Sequence, residues 1–230
     1  MTRVALILLI AVWIVAGSAR AQNLQLHYDM GKGRGYLTST VEMFRPDGYG
    51  STFFFIDMDY GVGDTKGVSL AYWEIARAIR FWEGPWAFHL EYNGGLYRWQ
   101  EGTSSGADGF PDAWYAGIQY SRDASDYSKG FTLQALYKCL RGKQNLSFQL
   151  TGVWYLNLLN DKVSFTGYAD FWREDCSFNG EKTKFIFQSE PQLWYNLTQN
   201  IALGGEVEVD YNFLVKGWKL CPTIGTKVTF

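Results

Sequence analysis

The sequence predicts an all-β protein: a single antiparallel transmembrane β-barrel of about 12 strands, following a cleaved signal peptide. Three observations carry that prediction. The chain opens on an export signal, alternates apolar and polar residues in segment after segment, and ends on an aromatic-terminated strand.

The opening residues read "MTRVALILLIAVWIVAGSARAQ". Arg3 supplies a positive start, Val4–Ala16 is an unbroken apolar run, and Ala19-Arg20-Ala21 is the small-x-small pattern of a cleavage site. The run is too short to cross a bilayer, which needs about 20 apolar residues. The expected division is a signal peptide over 1–21 and a barrel over 22–230, with the mature chain beginning at Gln22. No cysteine closely follows the apolar run, so no lipid anchor is expected there.

Composition narrows the class. Lys and Arg number 21 against 23 Asp and Glu, and removing Arg3 and Arg20 leaves the mature chain more acidic. That balance argues against binding a nucleic acid polymer. Cys139, Cys176 and Cys221 are widely spaced and odd in number, so they form neither a metal motif nor a disulfide framework. No metal and no cofactor are expected. The mature chain has no run of about 18 apolar residues, which excludes a helical membrane protein. Aromatics at 18% with 25 glycines and 5 prolines fit strands that meet lipid.

Period-2 alternation defines the strands. In "IALGGEVEVDYNF", Ile201, Leu203, Val207, Val209, Tyr211 and Phe213 share one face, with Glu206, Glu208 and Asp210 opposite. "WAFHLEYN", "LQLHYDM" and "NLSFQLTGVWY" repeat the design; in the last, Leu146 shares the apolar face. Twelve segments follow this rule, near 24–30, 36–45, 51–61, 67–82, 86–94, 113–122, 130–140, 145–155, 163–173, 184–197, 201–213 and 219–230. The links after even-numbered segments are mostly tight ("PDG", "EGP", "ASDYSK", "NLLND", "TQN"), while the longest, near 95–112 and 174–183, follow odd ones. Short turns on one side and longer loops on the other match an outer-membrane barrel with its short side periplasmic. The segment "VSLAYWEIARAIRF" resists, because Glu74, Arg77 and Arg80 do not share a parity. A β-bulge or a short helical turn would each account for it.

The chain ends "CPTIGTKVTF", with Leu220, Ile224, Val228 and Phe230 on one face and Lys219 and Lys227 on the other. A last strand closing on an aromatic residue resembles the assembly signal of bacterial outer-membrane barrels. A soluble barrel with its apolar face inward would share the alternation. However, twelve strands around an apolar interior leave more space than side chains fill.

With the apolar face on lipid, the opposite face lines a lumen rich in carboxylates. "STFFFIDMDYG" (Ser51–Gly61) then separates into two surfaces. Phe54, Ile56, Met58 and Tyr60 face lipid, while Phe53, Phe55, Asp57 and Asp59 face the pore. Together with the layout and the terminal "GTKVTF", this stretch resembles the Tsx-type nucleoside-specific channel superfamily of Gram-negative outer membranes. The resemblance implies a monomeric twelve-stranded barrel whose narrow pore binds nucleosides in passing through aromatic and polar side chains.

The candidate solute-binding positions are Phe53, Phe55, Tyr168 and Trp194 as stacking surfaces. The polar candidates are His27, Asp29, Asp57, Asp59, His89, Glu91, Glu190, Glu206, Glu208 and Asp210. An acidic lumen disfavours anions, so neutral or cationic solutes are expected. The other expected partner is the membrane itself, lipopolysaccharide outside and phospholipid inside. Two other classes stay open. An outer-membrane enzyme would have to use His27, which shares a face with Asp29, or His89, which alternates with Glu91 and is expected toward the outer half of its strand; no paired nucleophile accompanies either. A closed structural or adhesive barrel would show long, sticky outer loops, and only "GLYRWQEGTSSGADGFPD" has the length. Amino-terminal sequencing of the exported protein should read QNLQLHYD; a start at Met1 would contradict the leader.

Overall fold

The alternating segments become strands of one sheet because each offers an apolar face and a polar face that need different surroundings. In the computed structural model, which describes residues 22–143 and 147–230, the chain is all strand and turn, without a helix among the described residues. The expected leader, 1–21, and Leu146 lie outside the described residues. The strands are β1 (Gln22–Asp29), β2 (Leu37–Asp47), β3 (Gly50–Tyr60), β4 (Val68–Ile79), β5 (Trp86–Glu101), β6 (Ser104–Gly109) and β7 (Ala113–Asp123). They continue with β8 (Lys129–Leu140), β9 (Ser147–Leu158), β10 (Val163–Phe178), β11 (Glu181–Ser189), β12 (Gln192–Asn196), β13 (Ile201–Tyr211) and β14 (Trp218–Thr229). All pairings are antiparallel, and β1 pairs with β14 from Asn23↔Thr229 to Asp29↔Thr223, which closes the sheet.

The 14 strands make a closed 12-stranded barrel. β11 and β12 are one stave, since β10 pairs with both. Glu190 and Pro191 interrupt it, because proline has no N–H for the ladder. β6 is the return limb of a hairpin built on the extension of β5, running from Leu96↔Gly109 to Glu101↔Ser104. The stretch 95–112 is therefore mostly hairpin rather than loop. The stretch 174–183 is likewise paired strand, Cys176↔Thr183 to Phe178↔Glu181, around a two-residue turn at Asn179 and Gly180 with φ of 50° and 86°.

The resisting segment is an unbroken strand, not a helical turn. Its irregularity lies higher up, opposite Asp59 and Tyr60. Glu74 points inward, whereas Arg77 points outward at the short-turn rim and donates to Asp47 at 2.6 Å and to Thr52 at 3.0 Å. Lipid and water meet at that rim, so a long cationic side chain can leave the polar parity there.

Exposure separates the two faces. On β5, Phe88 and Leu90 are 55% and 50% exposed, while the intervening His89 is 3% exposed. Aromatic pairs gather at both ends of the outer face. Trp86 packs on Tyr120 (4.9 Å between centroids) and Trp82 on Phe88 (5.6 Å) toward the short turns. Tyr92 packs on Trp114 (4.7 Å) and Tyr211 on Trp218 (4.9 Å) toward the long hairpins. Two aromatic belts around an apolar outer band define a membrane barrel. The turn after β7 is fixed locally: Ser128 donates its hydroxyl (2.7 Å) and its amide (3.1 Å) to Asp126, and these bonds hold that carboxyl below the usual carboxylate range.

Ile118→Arg, outward at the middle of β7, should lower unfolding stability in detergent or lipid by about 2–4 kcal/mol, the cost of an arginine at mid-bilayer depth. Gln119→Arg, its inward neighbour, should cost less. Urea titration of both variants checks the assignment of faces.

Candidate functional site in the lumen

The register places every candidate side chain on the inner face. His27 and Asp29 come from β1, the Phe53–Asp59 series from β3, His89 and Glu91 from β5, and Tyr168 from β10. Glu190 sits at the break between β11 and β12, Trp194 on β12, and Glu206, Glu208 and Asp210 on β13. Their environments differ. Trp194 is fully buried, with the Lys227 ammonium 4.5 Å from its ring centroid and His27 edge-on at 5.5 Å. It is a packing residue of the wall and offers a solute no free face. Phe53, Phe55, Asp57, Asp59, Tyr168, Glu190, Glu206 and Glu208 keep partial exposure to the interior.

Carboxylates converge across the lumen. Asp57 accepts from Thr40, and Asp59 accepts from Thr38 at 2.8 Å. Asp57 also interacts electrostatically with Glu190 and Glu206 of the facing wall. Glu74 accepts from Tyr72 at 2.7 Å and from Asn93 at 2.8 Å, and it faces Glu91 and Asp170. Hydroxyl and amide donors thus offset part of the cost of gathering like charges away from bulk water. Near the long-hairpin end, Arg34 from the link between β1 and β2 reaches in to Asp29 and Glu208.

An aromatic file runs beside these acids. Phe53 lies 6.0 Å from Phe55, Phe55 lies 6.0 Å from Tyr72, Tyr72 lies 6.1 Å from Phe110, and Phe110 lies 5.5 Å from Tyr97. Phe110 sits at the foot of β6 and folds inward because β5 offers Gly95, where a Cβ would stand 2.6 Å from the Phe110 ring. Sequence reasoning found Phe53 and Phe55 but missed Tyr72, Tyr97, Phe110 and Arg34. Tyr72 was hidden by the disputed parity of β4, and the last two belong to irregular links, where no period exists.

Space remains elsewhere inside. Val153 pairs with Thr132 and so faces inward, yet it is 40% exposed. Lys138 does not open onto that space. It rests 4.6 Å from the Trp172 ring centroid and 3.4 Å from Glu174.

The histidines are structural in their surroundings. His89 bonds Glu91 at 2.9 Å and Gln119 at 3.0 Å, and its pairing with Ala78 puts it in the short-turn half of β5, not the outer half expected from the sequence. The strand enters from the short turn at Trp86, so His89 is only its fourth residue, and β5 continues to Glu101. His27 bonds Thr223 at 2.8 Å and Gln25 at 3.1 Å, but at 1% exposure it is sealed behind Trp194.

Two solved structures are similar to this one, and the first shares its fold. A "KdgM porin" is similar with a TM-score of 0.51 at 10% identity, over 91% of this chain and 99% of that one. The Acinetobacter baumannii outer membrane protein Omp33 is similar at 12% identity with a TM-score of 0.44, over 91% of this chain and 96% of its own. No curated protein matches the sequence. The fold, the lipid-facing outer band and the acidic, aromatic-lined interior define a transmembrane β-barrel. The chain belongs to the family described as a domain of unknown function, DUF5020, whose profile matches residues 21–230.

Trp194→Ala should destabilise the barrel by about 3–5 kcal/mol, the range for emptying a buried aromatic site. Tryptophan fluorescence during urea unfolding in micelles measures the change, and a loss under about 1 kcal/mol would contradict its wall-packing role.

Proposed function

We propose that this protein is a monomeric channel for passive diffusion of small polar solutes, neutral or cationic, across the outer membrane. The observation that carries the reading is the aromatic file on β3 and β4 running beside Asp57, Asp59 and Glu74. A flat or apolar ring can stack along such a file while its edge hydroxyls or amines donate to the carboxylates. Close carboxylates with few free cations repel nucleotides and other anions. Partial exposure of inward residues such as Val153 supports a lumen with room for water and solute.

Nucleosides are the finer reading. A base stacks on Phe55 or Tyr72, and ribose hydroxyls meet Asp57 or Asp59. The Tsx-type resemblance of "STFFFIDMDYG" points the same way. The likeness to a porin supports a diffusion role at the level of fold. Transport of this kind requires no covalent chemistry, in keeping with the buried surroundings of His27 and His89. The partners are outer-leaflet lipopolysaccharide, inner-leaflet phospholipid and the solute.

Refolded protein in planar bilayers should give discrete ion steps that nucleosides block more strongly than sugars or amino acids. Phe55→Ala should weaken the nucleoside block by about tenfold, since stacking a base on an aromatic ring contributes roughly 1–3 kcal/mol. Block by sugars alone would overturn the nucleoside reading. Absence of steps would overturn the channel itself.

A further inference from the structure

The link between β1 and β2 reads "GKGRGY", Gly31–Tyr36, and it turns into the barrel mouth. Gly31 lies against β14, where a Cβ would stand 2.7 Å from the Cys221 sulfur and 2.9 Å from Asp29. Gly33 then adopts a φ of 79°, which L side chains rarely take. This path delivers Arg34 to the lumen. Its Nη1 donates to Asp29 at 2.7 Å and to Glu208 at 2.9 Å, and its Nη2 donates to Glu208 at 2.6 Å. The guanidinium is thus gripped by two carboxylates in a forked geometry suited to planar cations.

That cradle is larger than its occupant. Asp210, two residues along the same inward face of β13, interacts with the Glu208 carboxylate. It is 1% exposed, and no donor reaches either of its oxygens. Two buried carboxyl groups in contact must hold a proton between them or draw in a cation, so the pair offers a place for positive charge. Lys219 pairs with Asp210 in register and adds a positive field without bonding it, and Asp59 adds a further negative field around Arg34.

We propose that Asp29, Glu208 and Asp210 form a mouth subsite for small organic cations bearing a guanidinium or ammonium group, and that Arg34 is its tethered occupant. An incoming cation of this class engages Asp210 and Glu208 and displaces Arg34, and the glycine-rich link lets the side chain withdraw. Arg34 also screens the mouth carboxylates, so it sets how strongly the lumen favours cations over anions. The inference rests on the channel reading but not on the identity of the neutral solute.

The test is a planar-bilayer measurement on the refolded full chain under a potassium chloride gradient, with guanidinium chloride and methylguanidine as probes. Arg34→Gln should shift the reversal potential toward greater cation selectivity. It should also make both probes block at roughly tenfold lower concentration, as vacating a charge-paired site frees its carboxylates. Arg34→Lys should restore most of the wild-type selectivity. Asp210→Asn in the Arg34→Gln background should remove the gained block. Heat-modified mobility in gels confirms that each variant is folded. Steps with unchanged selectivity and unchanged block in Arg34→Gln would overturn the subsite while leaving the channel intact. Absence of steps from every folded variant would overturn the channel reading and the subsite with it.

Discussion

The bilayer core contains no water, so every backbone N–H and C=O crossing it must find a partner within the protein. A sheet meets that demand only when it has no edge, and here β1 and β14 close it. The closure extends to the last residue, whose amide donates to the Gln22 carbonyl at 3.0 Å. Once the sheet is closed, each strand has one face on lipid and one on the interior. The apolar outer band, the aromatic belts and the polar lumen follow from that single condition. The cost falls on the lumen, where carboxylates from facing walls are forced into one narrow space.

The interior handles that charge unevenly. Where acids approach one another, hydroxyls and amides such as Thr38, Tyr72 and Asn93 donate to them. Where lysines enter, aromatic faces receive them, as Trp194 does for Lys227 and Trp172 for Lys138. Those arrangements engage Lys227 and Lys138, and carboxylates outnumber the cations along the β3–β4 wall and at the mouth. The residues that satisfy the barrel thus also determine which carboxylates stay open to the interior.

Most of the barrel was legible in the sequence because two unlike solvents press on alternate residues. Glu206, Glu208 and Asp210 opposite Val207 and Val209 admit one orientation in lipid. Legibility fails where that contrast fades. Beyond the bilayer both faces of β5 and β6 meet water, so "RWQEGTSSGADG" loses its period and reads as a loop although it is paired. At the rim, Arg77 takes the lipid parity and bonds Asp47, which obscured β4 and with it Tyr72. Parity also says nothing of depth or crowding. It placed Trp194 on the inner face but not under Lys227, and it gave no guide to which half of its strand holds His89. Arg34 and Phe110 carried no sequence signal because their placement depends on where a link folds, not on a repeat.

The central claim is that one face of each strand meets lipid and the other meets a wetted lumen. The most direct measurement is a cysteine scan of Phe53–Asp59 on β3, in a background lacking Cys139, Cys176 and Cys221, reconstituted in liposomes. Positions 53, 55, 57 and 59 should react with a water-soluble thiol reagent. A fluorophore at 54, 56 or 58 should instead be quenched by brominated acyl chains. Uniform reactivity along the strand, or lipid quenching at the odd positions, would contradict the account.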